Sequence, residues 1–250
     1  MSEAGEPLYV GADRSGGSWF AVAFDRSGFD HAAAFDEIGD LWVRYEERAE
    51  RVLVDVPIGL LEAGESGRRC DELARSALGE MADAVVSPPV REATRKRRYP
   101  AAQRTNERKT GRGLSERAFA MSDAIAAVDE LLRNVPEART AFAESHPEVC
   151  YRAFAGAPLE HDPAFAAGYA ERMRTLARHD RDAPPVVQAA AAATEGREIA
   201  VADVLAAVAL AYTAAPGSGD LRTLPADPPT DDEGLPMGIA YRADSPLVTE

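Results

Sequence analysis

A chain of 250 residues, 46% of them hydrophobic, is long enough to bury a core as one large domain. Forty-two acids against 28 bases leave a net charge of −14, and Lys96 and Lys109 are the only lysines; acid-rich, lysine-poor surfaces of this kind resemble those of proteins from salt-loving microbes. No run approaches the roughly 18 apolar residues of a membrane span, no basic-then-apolar leader opens the chain, and Cys70 and Cys150 form no Cys-x-x-Cys, so a cytoplasmic protein with reduced thiols and no membrane partner is expected.

Leu8 to Ala12 reads as a short strand ending in Asp13, with Arg14-Ser15-Gly16-Gly17 as a turn. In Ser18 to Asp25, Phe20, Val22 and Phe24 alternate with Trp19, Ala21 and Ala23, which predicts a strand apolar on both faces. A weaker third strand spans His31 to Phe35. Ile38, Leu41, Trp42 and Tyr45 then repeat at helical spacing between Asp36 and about Ala49.

Val52-Leu53-Val54-Asp55-Val56-Pro57 follows. Its apolar run predicts a strand covered on both faces, and Pro57, lacking an N–H, should end regular pairing near Asp55. A helical crossover between strands of one sheet implies parallel pairing, and the first strand is the natural neighbour. Asp13 and Asp55 then emerge side by side at one sheet edge, where two carboxylates repel unless a proton or cation separates them.

Arg68 to Leu78 predicts a helix stopped by Gly79, and Arg68 and Arg69 at its start are candidate phosphate contacts. A basic insertion at about 88–113 contains Arg91, Lys96, Arg97 and Arg98. The window 91–112 carries nine bases against two acids, which suggests a nucleic-acid surface or a loop that pairs with the protein's own acids. Leu114 to Arg133 has the 4-3-4 spacing of one amphipathic helix. A short strand at Thr140 to Ala143 delivers Glu144-Ser145-His146-Pro147-Glu148, and His146 could ligate metal, move a proton or serve structure. Phe165, Tyr169, Met173 and Leu176 mark another helix. Val201, Leu205, Val208 and Tyr212 mark a last one that is apolar nearly all round, which leaves Asp203 in need of a partner. The Pro- and Asp-rich extension from about 216 contains a candidate strand at Gly238 to Tyr241.

Asp13, Asp55, one or both of Glu144 and Glu148, and Asp203 form a catalytic constellation in which Asp13, Asp55, Glu144 and Asp203 are the candidate metal ligands. Oxygen-rich sets favour Mg²⁺ or Mn²⁺ over zinc, and two such ions can serve phosphodiester hydrolysis. No side-chain nucleophile is evident.

Several stretches are similar to the predicted ribonuclease-H-like nuclease family known as domain of unknown function 429. They are Val-Asp-Val-Pro-Ile-Gly-Leu at 54–60, Arg-Arg-Cys-Asp at 68–71, Pro-Pro-Val-Arg at 88–91, Thr-Gly-Arg-Gly-Leu-Ser at 110–115, Glu-Ser-His-Pro-Glu at 144–148 and Gly-Leu-Pro-Met at 234–237. The resemblance implies a single α/β domain over 1–250 of ribonuclease-H-like fold. It implies a mixed sheet, with a three-strand antiparallel meander plus parallel strands, flanked by helices. It also implies a nuclease or related phosphodiester-processing enzyme whose acids are those named above. The family's late helix commonly reads Asp-x-x-Asp-Ala, and here Ala206 stands at the second aspartate. That departure keeps open a non-catalytic scaffold, and Asp13-Arg14-Ser15-Gly16-Gly17-Ser18 keeps open a nucleotide-phosphate binder.

Overall fold

The chain begins as the predicted meander and then crosses over. In the computed structural model, which describes residues 5–248, strands β1 (Leu8–Ser15), β2 (Ser18–Asp25) and β3 (Gly28–Phe35) pair antiparallel. Helix α1 (Ile38–Tyr45) returns the chain to β4 (Ala49–Val54), which lies parallel to β1. Strand β5 (Phe142–Glu144) adds parallel to β4, giving a five-stranded mixed sheet of order β3-β2-β1-β4-β5.

Beyond β4 the regular elements that lead to β5 are all helical, joined by loops that include the long stretch 55–68: α2 (Arg69–Leu78), a 3₁₀ turn (Gly79–Ala84), α3 (Arg91–Thr94), α4 (Tyr99–Thr110), α5 (Glu116–Ala120), α6 (Ser122–Asn134) and α7 (Pro136–Ala141). After β5 come α8 (Pro147–Ala155), α9 (Ala166–His179), α10 (Ala183–Ala192), α11 (Val201–Ala214) and a two-stranded sheet of β6 (Asp220–Leu224) and β7 (Ile239–Ala243). No helix among the described residues is long and apolar enough to cross a membrane.

The period-two pattern of β2 sorts its side chains onto opposite faces of the sheet. Phe20, Val22 and Phe24 pack with residues of α8 to α11, whereas Trp19, Ala21 and Ala23 pack with residues of α1, α6 and α7. Helix α11 is pressed against β1. A Cβ on Gly11 would stand 2.1 Å from the Ala211 nitrogen and 2.4 Å from the Ala207 oxygen, so only glycine permits this approach. That contact sets the distance between the strand carrying Asp13 and the helix carrying Asp203.

Five expectations change. Strand β1 runs past Asp13 to Ser15, because Gly16 (φ 56°) and Gly17 (φ 93°) close a two-residue hairpin and keep the ladder in register up to Ser15 opposite Ser18. The helix predicted over Leu114 to Arg133 breaks at Met121, whose N–H bonds back three residues to Ala118, and Ser115 caps the first piece. The basic insertion is neither a loop nor an open surface throughout, since α3 packs on α4 and α6. The extension from about 216 holds a strand, β6, that its Asp, Arg and Thr residues concealed. Finally, Phe165, Tyr169 and Val201 are 68%, 42% and 60% exposed, because each lies at the start of its helix, before the turns that pack into the core.

Candidate active site

The carboxyl ends of β1, β4 and β5 deliver acids to one cavity. The Asp55 N–H donates to the Ala12 oxygen at 3.1 Å, which carries the parallel ladder one residue past Val54 and sets Asp55 beside Asp13. Asp203 enters from the first turn of α11, and Glu148 from the first turn of α8. All four carboxylates line a cavity of about 500 Å³, together with Asp71, Arg117, Glu144, His146 and Arg172.

The carboxyl groups differ in what neutralises them. Asp13 accepts the Arg14 N–H at 2.6 Å, yet burial, followed by Asp55 and Asp203, holds its pKa well above the usual aspartate value. Burial also raises Asp55, with Glu148 and Asp203 adding to the rise while His146 and Arg117 oppose it. Among the described residues no donor hydrogen-bonds to the Asp55 carboxylate, and Arg117 spends two bonds on the Asp83 and Ala84 carbonyls. This is an acid group short of positive charge.

The two glutamates are already matched. The Arg172 Nε and Nη2 donate to both oxygens of Glu148 at 3.0 and 2.6 Å, while Nη1 donates to the His161 and Gly168 carbonyls. Glu144 Oε2 accepts the Ile58 N–H at 2.8 Å and a second bond from Arg68 Nη2. Burial pushes the Glu144 carboxyl up to about 7 against the pull of Arg68. Of the two glutamates, Glu148 is the one whose charge adds to the rise in Asp55, while Asp203 acts on both strand aspartates. His146 caps α8: its Nδ1 accepts the Glu148 N–H at 3.2 Å and its Nε2 faces the Ala84 carbonyl at 3.4 Å.

Sequence reasoning missed Asp71, Arg117 and Arg172 as cavity residues. Asp71 follows the Arg-Arg pair and could have been read from it; Arg172 sits on the same helical stripe as Leu176 and carried no such signal. Cys70, Asp71 and Glu144 have ligand atoms all within 4.8 Å of one another and could hold a metal ion. Both cysteines are free and buried, and burial lifts the Cys150 thiol to about 11.

The predicted phosphate contacts do not gather here. Arg68 is buried against Glu144 and Asp71, so it is an internal counter-ion and not a substrate contact. Arg91 is buried among Asp129, Glu62 and Asp231, for the same reason. Arg69 pairs with Glu72 at 3.0 Å on the surface, and Lys96 with Glu92 at 3.0 Å. None of residues 88–113, Arg97 and Arg98 included, lines the cavity. Ala206 does line it, three residues on from Asp203.

The family described as "Protein of unknown function (DUF429)" matches residues 11–230. No curated protein and no solved structure matches the chain.

Proposed function

The chain belongs to the DUF429 family, and from that premise we propose that it is a metal-dependent nuclease or a closely related phosphodiester-processing enzyme of ribonuclease-H-like fold. The sheet order β3-β2-β1-β4-β5, antiparallel through β1 and parallel beyond it, is compatible with that fold. The observation that carries the reading is the convergence of Asp13, Asp55 and Asp203 on one cavity, with a raised pKa on both strand aspartates and no donor to Asp55 among the described residues.

The donor set fits Mg²⁺ or Mn²⁺, because these acids offer hard carboxylate oxygens and strand-end positions that need a cation between them. Asp13, Asp55 and Asp203 would hold the ions, with Glu148 beside them. Bound there, two divalent ions would let a phosphate anion enter an acidic cavity and would stabilise the charge that develops as its P–O bond breaks.

The remaining roles belong to this chain's own residues. Arg172 fixes the Glu148 carboxylate from both sides and ties it to the 161–168 turn, so that acid cannot swing away. His146 orders the start of the helix carrying Glu148. Arg117 is the cation at the cavity rim that an incoming phosphate meets, and the backbone contacts it makes hold the Asp83–Ala84 wall. The basic α3–α4 region lies outside the cavity and would guide a polyanion through the exposed arginines that have no acid partner among the described residues, Arg97, Arg98 and Arg104.

The test is cleavage of single- and double-stranded DNA and RNA in high KCl with Mg²⁺ or Mn²⁺, comparing wild type with Asp13→Asn and Asp55→Asn. Each substitution should lower the rate by at least about 100-fold, since even partners outside the ligand shell cost 10- to 100-fold. Cleavage that survives both would remove the assignment. Ala206 favours a second reading, a metal-binding scaffold without turnover. On that reading wild type binds metal but cleaves nothing, and Ala206→Asp gains activity.

A further inference from the structure

We propose a second cation site, separate from Asp13, Asp55 and Asp203, formed by Cys70 Sγ, Asp71 and Glu144 and suited to a thiolate-accepting ion of the Zn²⁺ class. It does not rest on the nuclease reading. Within the described residues this is the set whose ligand atoms all lie within 4.8 Å of one another, and Cys70, Asp71 and Glu144 are 0%, 2% and 5% exposed. Three donors close enough to one another to share a single ion, drawn from the start of α2 and the end of β5, are brought together only by the fold.

A second observation points to a ligand. Asp71 Oδ2 is buried and has no hydrogen-bond partner among the described residues, a costly state for a carboxylate oxygen. Its other oxygen, Oδ1, has Cys70 Sγ at 3.6 Å. In Glu144 both described hydrogen bonds go to Oε2, which leaves Oε1 without one. Each carboxylate therefore retains an oxygen for a ligand, and Asp71 and Glu144 both line the cavity, which provides the route in.

Arg68 is the apparent obstacle, since Nη2 contacts Cys70 Sγ at 3.0 Å and also Glu144, and Nη1 is 3.7 Å from Asp71 Oδ1. Its Nε and Nη1 nonetheless have no hydrogen-bond partner among the described residues, Nη1 making only the long ion-pair contact to Asp71, so the guanidinium leaves the pocket incompletely satisfied. The charges decide its place. On binding, the Cys70 thiol releases its proton to solvent and becomes a thiolate, and three anionic ligands are then balanced by Arg68 together with a doubly charged ion. Arg68 becomes the outer partner that orients Glu144 through Oε2, as ligating carboxylates commonly require. A thiolate in the set selects Zn²⁺ or Co²⁺ over Mg²⁺, so the two sites differ in the ion they take.

Cobalt reports on this directly. The full-length protein, stripped with chelator and titrated with Co²⁺, should develop a near-ultraviolet sulfur-to-cobalt band that saturates at one equivalent and bleaches on adding Zn²⁺. The band should vanish in Cys70→Ser and persist in Cys150→Ser and in Asp55→Asn. Asp71→Asn should keep the band but weaken Co²⁺ binding by at least about tenfold, which tests the site even where Cys70→Ser folds poorly. Absence of the band in wild type, or a band that survives Cys70→Ser or is lost in Cys150→Ser, overturns the proposal.

Discussion

Gly11→Ala probes the contact on which the site depends. The added methyl would lie 2.1 Å from the Ala211 nitrogen, 2.4 Å from the Ala207 oxygen and 2.6 Å from the Leu210 carbonyl carbon, all helix backbone. No side chain can rotate away, so strand and helix must separate by at least about 1.3 Å to reach ordinary contact. Overpacking of this kind costs about 1–3 kcal/mol and sometimes more, and the backbone clash places it at the upper end. For a chain of this length that is about 6–12 °C in melting temperature. Urea unfolding followed by circular dichroism, with chelator present, measures it. Gly39→Ala is the control: it lies within α1 with nothing within 4 Å of the new Cβ, and should gain about 0.5–1 kcal/mol. Because the displaced helix carries Asp203, Gly11→Ala should also weaken metal binding. A Gly11→Ala protein within about 0.5 kcal/mol of wild type would refute the packing argument.

Other consequences follow from the buried charges. Arg172→Leu leaves Glu148 without its partner and should cost about 3–5 kcal/mol in urea unfolding, of which Arg172→Leu/Glu148→Gln recovers a large part; a double variant no better than the single would count against it. Arg91→Leu leaves the buried Asp231 without its cation, whereas Asp129 keeps Arg95 and Arg133, and it should destabilise by a similar amount without changing metal affinity at the cavity, as calorimetry would show. Glu144 has its folded pKa raised from 4.5 to about 7, so its contribution is fully present below 4.5 and is lost as pH rises through 7. With metal chelated, stability should therefore fall across that window by about 3 kcal/mol, with Asp13 and Asp55, raised in the same direction, adding to the fall. Melting curves at stepped pH, flat or rising in wild type or unchanged in slope by Glu144→Gln, would contradict this.

The strand-end acids were legible because periodicity and proline act locally. Val52 to Val54 read as a buried strand, Pro57 closes it, and parallel pairing with β1 follows from the helical crossover; together these put Asp13 beside Asp55 from the sequence alone. Asp203 was legible as a polar residue in an apolar helix. The arginines were not. Arg68 and Arg91 look in sequence like neighbours of Arg69 and Arg95, but their side chains turn inward to acids 76 and 140 positions away, a choice set by tertiary packing. Arg172 was hidden in the same way, since its partner Glu148 lies 24 residues earlier on another helix. The exposed Phe165 and Tyr169 mark the converse limit: helical spacing identifies a stripe but not where along it the core ends.

The central claim is that Asp13, Asp55 and Asp203 form a divalent-cation site. Calorimetric and melting titrations with Mn²⁺ and Mg²⁺ at high KCl, on wild type and Asp55→Asn, test it most directly. The account predicts saturable binding in wild type, with stabilisation of about 2.7 kcal/mol at a hundredfold excess over Kd, or roughly 5–10 °C. Asp55→Asn should lose that shift while melting higher than wild type in chelator, because one half-buried, repelling charge is gone. No binding at millimolar metal, or binding that Asp55→Asn leaves intact, would contradict it.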